Sequence, residues 1–200
     1  MHGIPLLPWL DSAKQREVVR MLVHYGLLRF SKAHDLVLKS GRTTDIYINL
    51  RDARNNPEAI KRIAGLFIHP LMHLGIQRFV EIPDSVSCFA GLLATETGLP
   101  YITVRKEAKP GRVSKPRVIG EAKSGEEVAI LDDVVTDGAS KIEPYRECVR
   151  AGLRVKALVV LVDREEGWRE KFAAEGIDLH VWAGMTLCEV RRILAEESAA

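Results

Sequence analysis

Cysteine is scarce in this chain: Cys88, Cys148 and Cys188 lie far apart, form no CxxC pair, and leave one thiol over whatever the pairing. That spacing argues against a disulfide framework and fits a reducing compartment. No apolar run reaches the roughly 18 residues of a membrane span. The opening stretch, MHGIPLLPWLDSAK, lacks the charged region and long apolar core of a secretory signal. The expectation is therefore a cytoplasmic protein with no membrane partner. Neither sign of charge dominates, since 29 basic and 27 acidic residues leave a formal net charge of +2. Aromatics are few, 6% of the chain, and Trp9, Trp168 and Trp182 are scattered. They read as core filling rather than base stacking, so no nucleic-acid partner is expected. Internal repeats are also lacking.

What is present is an apolar fraction of 46% in 200 residues, enough for one domain with a substantial core. Asp11 or Ser12 can cap a helix over 13–25, and Asn55 or Asn56 with Pro57 opens a second through Leu74. Between them, 36–38 and 46–50 read as strands of a hairpin around Lys39-Ser40-Gly41-Arg42. Short apolar runs then alternate with helical patterns: strands at 78–82, 101–104, 128–131, 155–162 and 179–182, helices at 87–97, 140–151 and 167–175. Such alternation predicts a mostly parallel sheet flanked by helices. The two chain ends fall outside the alternation and suit a cap over the sheet's C-terminal edge, where ligands of open α/β sheets bind.

Chemistry concentrates in the stretch VAILDDVVTDGASKIEPYRECVRAG at 128–152. A buried strand runs into two adjacent carboxylates, Asp132 and Asp133. A loop of small and hydroxyl-bearing residues follows, Thr136-Asp137-Gly138-Ala139-Ser140, and then a helix. Backbone N–H groups of the loop and helix start can wrap a phosphate, with the Thr136 and Ser140 hydroxyls as further donors. Gly138 permits close approach of the backbone. The carboxylates can bind ribose hydroxyls or sit near hydrated Mg²⁺. An ordinary βα turn with surface acids is the plainer alternative, and the length of the run weighs against it.

Three further stretches stand out. Arg105-Lys106-Glu107-Ala108-Lys109 leads into a Pro- and Gly-containing segment ending at Arg117, with six basic residues against one acid. A cationic loop of this kind can close over a departing diphosphate and exclude water. Leu36-Val37-Leu38-Lys39-Ser40-Gly41-Arg42 precedes Asp45-Ile46-Tyr47-Ile48-Asn49-Leu50-Arg51. Finally, Asp163-Arg164-Glu165 follows an apolar strand, a place from which an arginine can grip a carboxylate in bidentate fashion. His69 and His73, four apart, could face one metal, but Pro70 lies between them and no third ligand is evident.

The run from Asp132 to Ser140 resembles the signature with which type I phosphoribosyltransferases bind phosphoribosyl diphosphate (PRPP). All four stretches together, in order and spacing over about residues 15–195, resemble orotate phosphoribosyltransferases. The resemblance implies transfer of the 5-phosphoribosyl group from PRPP to orotate, giving orotidine 5′-monophosphate and pyrophosphate in pyrimidine biosynthesis, with Mg²⁺ as cofactor. It also implies roles. Lys39, Arg105, Lys106 and Lys109 would bind PRPP or its diphosphate, as would the loop holding Asp84 and Ser85. Asp132 and Asp133 would meet the ribose, and Val134, Val135, Thr136, Asp137, Gly138, Ala139 and Ser140 would line the phosphate site. Orotate would lie against Lys39, Tyr47, Ile48, Thr136 and Arg164. A homodimer is implied, with the 105–117 loop contributed across the interface.

The resemblance further implies a single phosphoribosyltransferase domain, its core about 57–165 and its hood from about 11–56 and 166–195. The chain departs from the family where Pro110-Gly111-Arg112 follows Lys109 without a histidine, and where 83–88 carries neither glycine nor lysine. Two alternatives stay open on sequence alone: a related transferase for another base, and a sensor of PRPP or nucleotides.

Overall fold

The computed structural model describes residues 8–31, 33–37, 41, 43–105 and 118–199. Helix α1 (Ser12–His24) starts where Asp11 accepts a hydrogen bond from the Lys14 amide at 2.8 Å. Strands β1 (Leu28–Phe30), β2 (Leu36–Val37), β3 (Thr43–Thr44) and β4 (Ile46–Ile48) follow, then a 3₁₀ turn at Leu50–Asn55. The expected hairpin is present as β2 against β3, but β4 is not part of it. Instead β4 pairs antiparallel with β1, Leu28 opposite Ile48. Helix α2 (Pro57–Leu74) has its expected bounds. The Asn56 side chain accepts from the amides of Glu58 and Ala59, and Gly75 closes the helix in the left-handed region.

The remaining elements are β5 (Arg78–Glu81), α3 (Ser87–Thr97), β6 (Tyr101–Val104), β7 (Val118–Ile119), β8 (Glu127–Val135), α4 (Ala139–Arg150), β9 (Arg154–Asp163), α5 (Trp168–Ala174), β10 (Val181–Thr186) and α6 (Leu187–Ala199). Six strands form one sheet in the order β10-β9-β8-β5-β6-β7, parallel except for the β6–β7 pair. The mostly parallel sheet expected from the alternation is thus present. Because helices cover both faces, the inner strands read as continuous apolar runs rather than alternating ones. Strand period still sorts their side chains. Ala129 and Leu131 of β8 pack with α2 and α3, whereas Val128 and Ile130 pack on the side of α4 and α5.

The chain ends do meet. Trp9 hydrogen-bonds β10 through its backbone N–H, 3.1 Å from the Ala183 carbonyl, and its ring Nε1, 3.2 Å from that of Trp182. Arg20 of α1 pairs with Glu197 of α6 at 2.6 Å, and Arg191 of α6 grips Asp45 of the cap with two bonds of 2.8 Å. The segment 166–195, read from sequence as hood, therefore divides: β10 is an edge strand of the central sheet, and α6 joins the cap. Both histidines of the 69/73 pair lie on α2, and among the described residues no cluster of three or more His, Cys, Asp or Glu side chains could hold a metal.

Candidate active site

The sheet reverses its winding between β5 and β8. From β5 the chain runs through α3 to β6, and from β8 through α4 to β9 on the other side. Two strands whose connections leave in opposite directions open a crevice at their C-terminal ends. Here the crevice is a cavity of about 380 Å³, roofed by β4 and the start of the 3₁₀ turn. That volume suits a small organic ligand.

Sequence reading ends the strand at the acidic pair, and the structure corrects this. β8 continues through Val135, with Asp132 opposite Val160 and Val135 opposite Asp163. Its pairing with β5, however, stops at Leu131. One edge of β8 is thus freed for the crevice while the other stays fixed by β9. Asp132 and Asp133 are both almost fully buried, 2% and 5% exposed. Asp132 accepts from the Asp133 amide at 2.8 Å and forms an ion pair with Lys141 from the first turn of α4. Asp133 accepts from the Val134 amide, also at 2.8 Å.

Their environments drive the two carboxyls apart. Burial raises the pKa of Asp132, but the Lys141 charge and hydrogen bonds from Lys141 and Asp133 outweigh it and hold the group below its ordinary value. Burial and the neighbouring Asp132 push Asp133 up to about 7. Asp132 is thus held as the anion, and Asp133 is the member of the pair that takes up a proton more readily.

After β8, the Asp137 carboxylate accepts from the Ala139 amide at 3.1 Å, shaping the loop into α4. Gly138 has φ +77°, and a Cβ placed there would lie 2.6 Å from the Phe172 ring. Two requirements therefore fix glycine at this position: backbone conformation and the close approach of α5. Beyond β9, Asp163 accepts from the Glu165 amide at 2.8 Å and from Trp168 Nε1 at 2.9 Å, which locks the turn. Arg164, 8% exposed, is thereby aimed at the cap. It donates to the Ile46 carbonyl at 3.2 Å, the Thr44 hydroxyl at 3.3 Å and Glu166 at 2.7 Å.

Of the residues singled out from sequence, the cavity wall unites Tyr47, Ile48, Ser85, Asp132, Asp133, Val134, Thr136, Asp137, Ser140 and Arg164. Asp84, Val135, Gly138 and Ala139 adjoin lining residues in the chain without lining the cavity themselves, and Arg105, exposed after β6, does not line it. Lys39, Lys106 and Lys109 lie outside the described residues. Pro83, which opens the expected diphosphate loop, also lines the cavity, whereas sequence reasoning missed Asn49, Arg51, Ile82, Lys141 and Glu166, which line it too. A basic residue one position past the phosphate loop was the available signal for Lys141. Arg51 closes a stretch already noted for Tyr47 and Ile48.

A cavity at the switch point, closed by a cap from both chain ends and floored by an acidic pair leading into a hydroxyl-rich loop, defines a type I phosphoribosyltransferase. The solved orotate phosphoribosyltransferase of Aeropyrum pernix superposes with a TM-score of 0.71 at 26% identity, over 92% of this chain and 99% of that one. No protein-family model matches the chain. By sequence it is 33% identical over 162 residues to the orotate phosphoribosyltransferase of Thermoplasma volcanium, covering 80% of this chain and 91% of that protein. With the enzyme of the same name from Pyrococcus furiosus it shares 31% identity over 169 residues, 83% of this chain and 90% of that protein. The chain belongs to the orotate phosphoribosyltransferase family.

Proposed function

We propose that this protein transfers the 5-phosphoribosyl group of PRPP to orotate, giving orotidine 5′-monophosphate and pyrophosphate in pyrimidine biosynthesis. The observation that carries the reading is the convergence, on one cavity, of the acidic pair, the 136–140 loop, Arg164 and the Tyr47–Ile48 strand. The sugar phosphate rests on the loop amides and hydroxyls. The ribose hydroxyls face Asp132 and Asp133, and the planar base lies against Tyr47 and Ile48 with Arg164 toward its carboxylate.

The reaction loosens the C1–O bond to diphosphate first, so positive charge develops on the ribose as it does at glycosidase centres. The acidic pair orients the ribose hydroxyls at the reacting carbon. The orotate ring nitrogen then attacks the opposite face, without a covalent enzyme intermediate. The protein's part is positioning and fixed charge.

Mg²⁺ fits the donors present. The cavity offers carboxylate oxygens, suited to a hard cation, and among the described residues lacks a cage of three or more ligands. An ion that keeps water and substrate oxygens as most of its ligands matches such a site. Asp132 and Asp133 would stand nearest to it, and it would supply neutralisation of the diphosphate. Arg105, Lys106 and Lys109 supply the protein's own positive charge to the leaving group. In this reading the 105–117 loop serves the neighbouring site of a cytoplasmic homodimer, the whole chain being one domain.

The test is an absorbance assay of orotate consumption by the purified protein with PRPP and Mg²⁺, with uracil, hypoxanthine and adenine as rival acceptors. Orotate alone should be consumed. Equal turnover of a base lacking a carboxylate would overturn the choice of acceptor.

A further inference from the structure

Among the described residues lining the cavity, the cations are Arg51, Lys141 and Arg164. Two of them have a carboxylate partner within the protein, Lys141 in Asp132 and Arg164 in Glu166. Arg51 differs. Its Nε is shielded from solvent and has no hydrogen-bond partner among the described residues, and no ion pair to a described carboxylate forms there. A buried Nε–H in that condition costs free energy unless an acceptor completes it, and Arg51 as a whole is only partly exposed.

The backbone around Arg51 is firmly held. Its amide donates to Asn49 Oδ1 at 3.3 Å, and its carbonyl accepts from Arg54 Nε at 2.9 Å. Leu50 and Ala53 of the same 3₁₀ turn are fully buried. The Leu50 carbonyl is also in contact with Cys88 Sγ at 3.8 Å, so the turn rests on the first turn of α3. That contact sets Arg51 beside the 83–88 loop, whose Pro83 and Ser85 share the cavity wall with it. The loop itself carries no basic residue and bears Asp84.

Building on the PRPP-binding reading, we propose that Arg51 binds the diphosphate of PRPP, supplying from the cap the positive charge that the 83–88 loop lacks. Its planar fork can engage two oxygens of one phosphate at once, while the pinned 3₁₀ turn fixes the approach. Arg51 is then a substrate-binding residue for the leaving group, distinct from Arg164 on the base side.

Calorimetric titration of wild type, R51Q and R51K with PRPP and Mg²⁺, and separately with ribose 5-phosphate, tests this. Ribose 5-phosphate keeps the sugar and its phosphate but lacks the diphosphate. R51Q should weaken PRPP binding about ten- to a hundredfold, the range of a charge-assisted contact. Its ribose 5-phosphate affinity should stay within about twofold of wild type, and R51K should be intermediate for PRPP. Unchanged PRPP binding in R51Q would overturn the proposal, as would equal losses for both ligands, which would mark a structural role. Failure of the wild type to bind PRPP would instead remove the underlying reading.

Discussion

Lys141 and Asp132 form an ion pair nearly withdrawn from solvent, their side chains 8% and 2% exposed. The pair ties the first turn of α4 to β8 directly beneath the proposed ribose site. Breaking such a pair from one side leaves a bare buried charge, typically at a cost of about 3 to 5 kcal/mol. K141M should lose stability of that order in urea unfolding at pH 8. The loss should shrink toward pH 5, because Asp132 without its partner can take up a proton. D132N/K141M should recover much of the difference.

Asp133 works in the opposite sense. Folded, it titrates at about 7, against 3.8 for an ordinary aspartate. As pH rises from about 4 to 7, the native chain retains a proton that the unfolded chain has released. The Asp133 contribution to stability therefore falls across that window and levels off above it. D133N abolishes this slope. It should be more stable than wild type at pH 8 by up to about 4 kcal/mol, at about 1.4 kcal/mol per pH unit of displaced titration, and equal near pH 4. It should also lose most turnover, a trade of activity for stability. Paired thermal melts and rates would show both effects, and a stability difference between D133N and wild type that did not grow between pH 4 and 7 would contradict the account.

Arg164 joins the cap to the sheet as well as facing the cavity. A lysine keeps the charge but not the fork. R164K should raise the KM for orotate about tenfold or more, the scale of a lost charge-assisted bond, with PRPP affinity almost unchanged. A larger effect on PRPP than on orotate would place the base elsewhere.

Gly138 combines a φ of +77° with a tight approach of the Phe172 ring, which would stand 2.6 Å from any Cβ added there. G138A should cost about 1 to 3 kcal/mol and weaken PRPP binding. Adding F172L should restore only part of the stability, since it relieves the clash and leaves the backbone strain. Full restoration would show that the backbone conformation is of no consequence.

The distribution of what sequence reveals follows from the range of each interaction. Helix α2 is legible at both ends, because Asn56 and Pro57 act within its first turn, although the cap reads from sequence as either Asn55 or Asn56. The pairing of β1 with β4 is not, since partners such as Leu28 and Ile48 are brought together only by tertiary packing. In sequence β8 reads as ending at Leu131 because carboxylates signal exposure. Its ladder to β9 depends on backbone groups alone, and Lys141 with two backbone amides makes the burial tolerable. The partner of Asp132 lies nine positions away across a loop, where no periodicity could announce it. The acidic pair and the loop after it are legible because their chemistry is contiguous in the chain.

Lys109 belongs to the part of the account that sequence alone supports. K109A should lower turnover by well over tenfold, through lost stabilisation of the departing diphosphate. PRPP affinity by calorimetry should change much less, and unchanged turnover would remove the loop from the mechanism.

The most direct measurement is a crystal structure of the protein with PRPP and Mg²⁺. The sugar's phosphate should sit on 136–140, its hydroxyls at Asp132 and Asp133, and its diphosphate between Ser85 and Arg51. PRPP bound elsewhere, or a crystal at saturating PRPP with that crevice still empty, would contradict the assignment of this cavity.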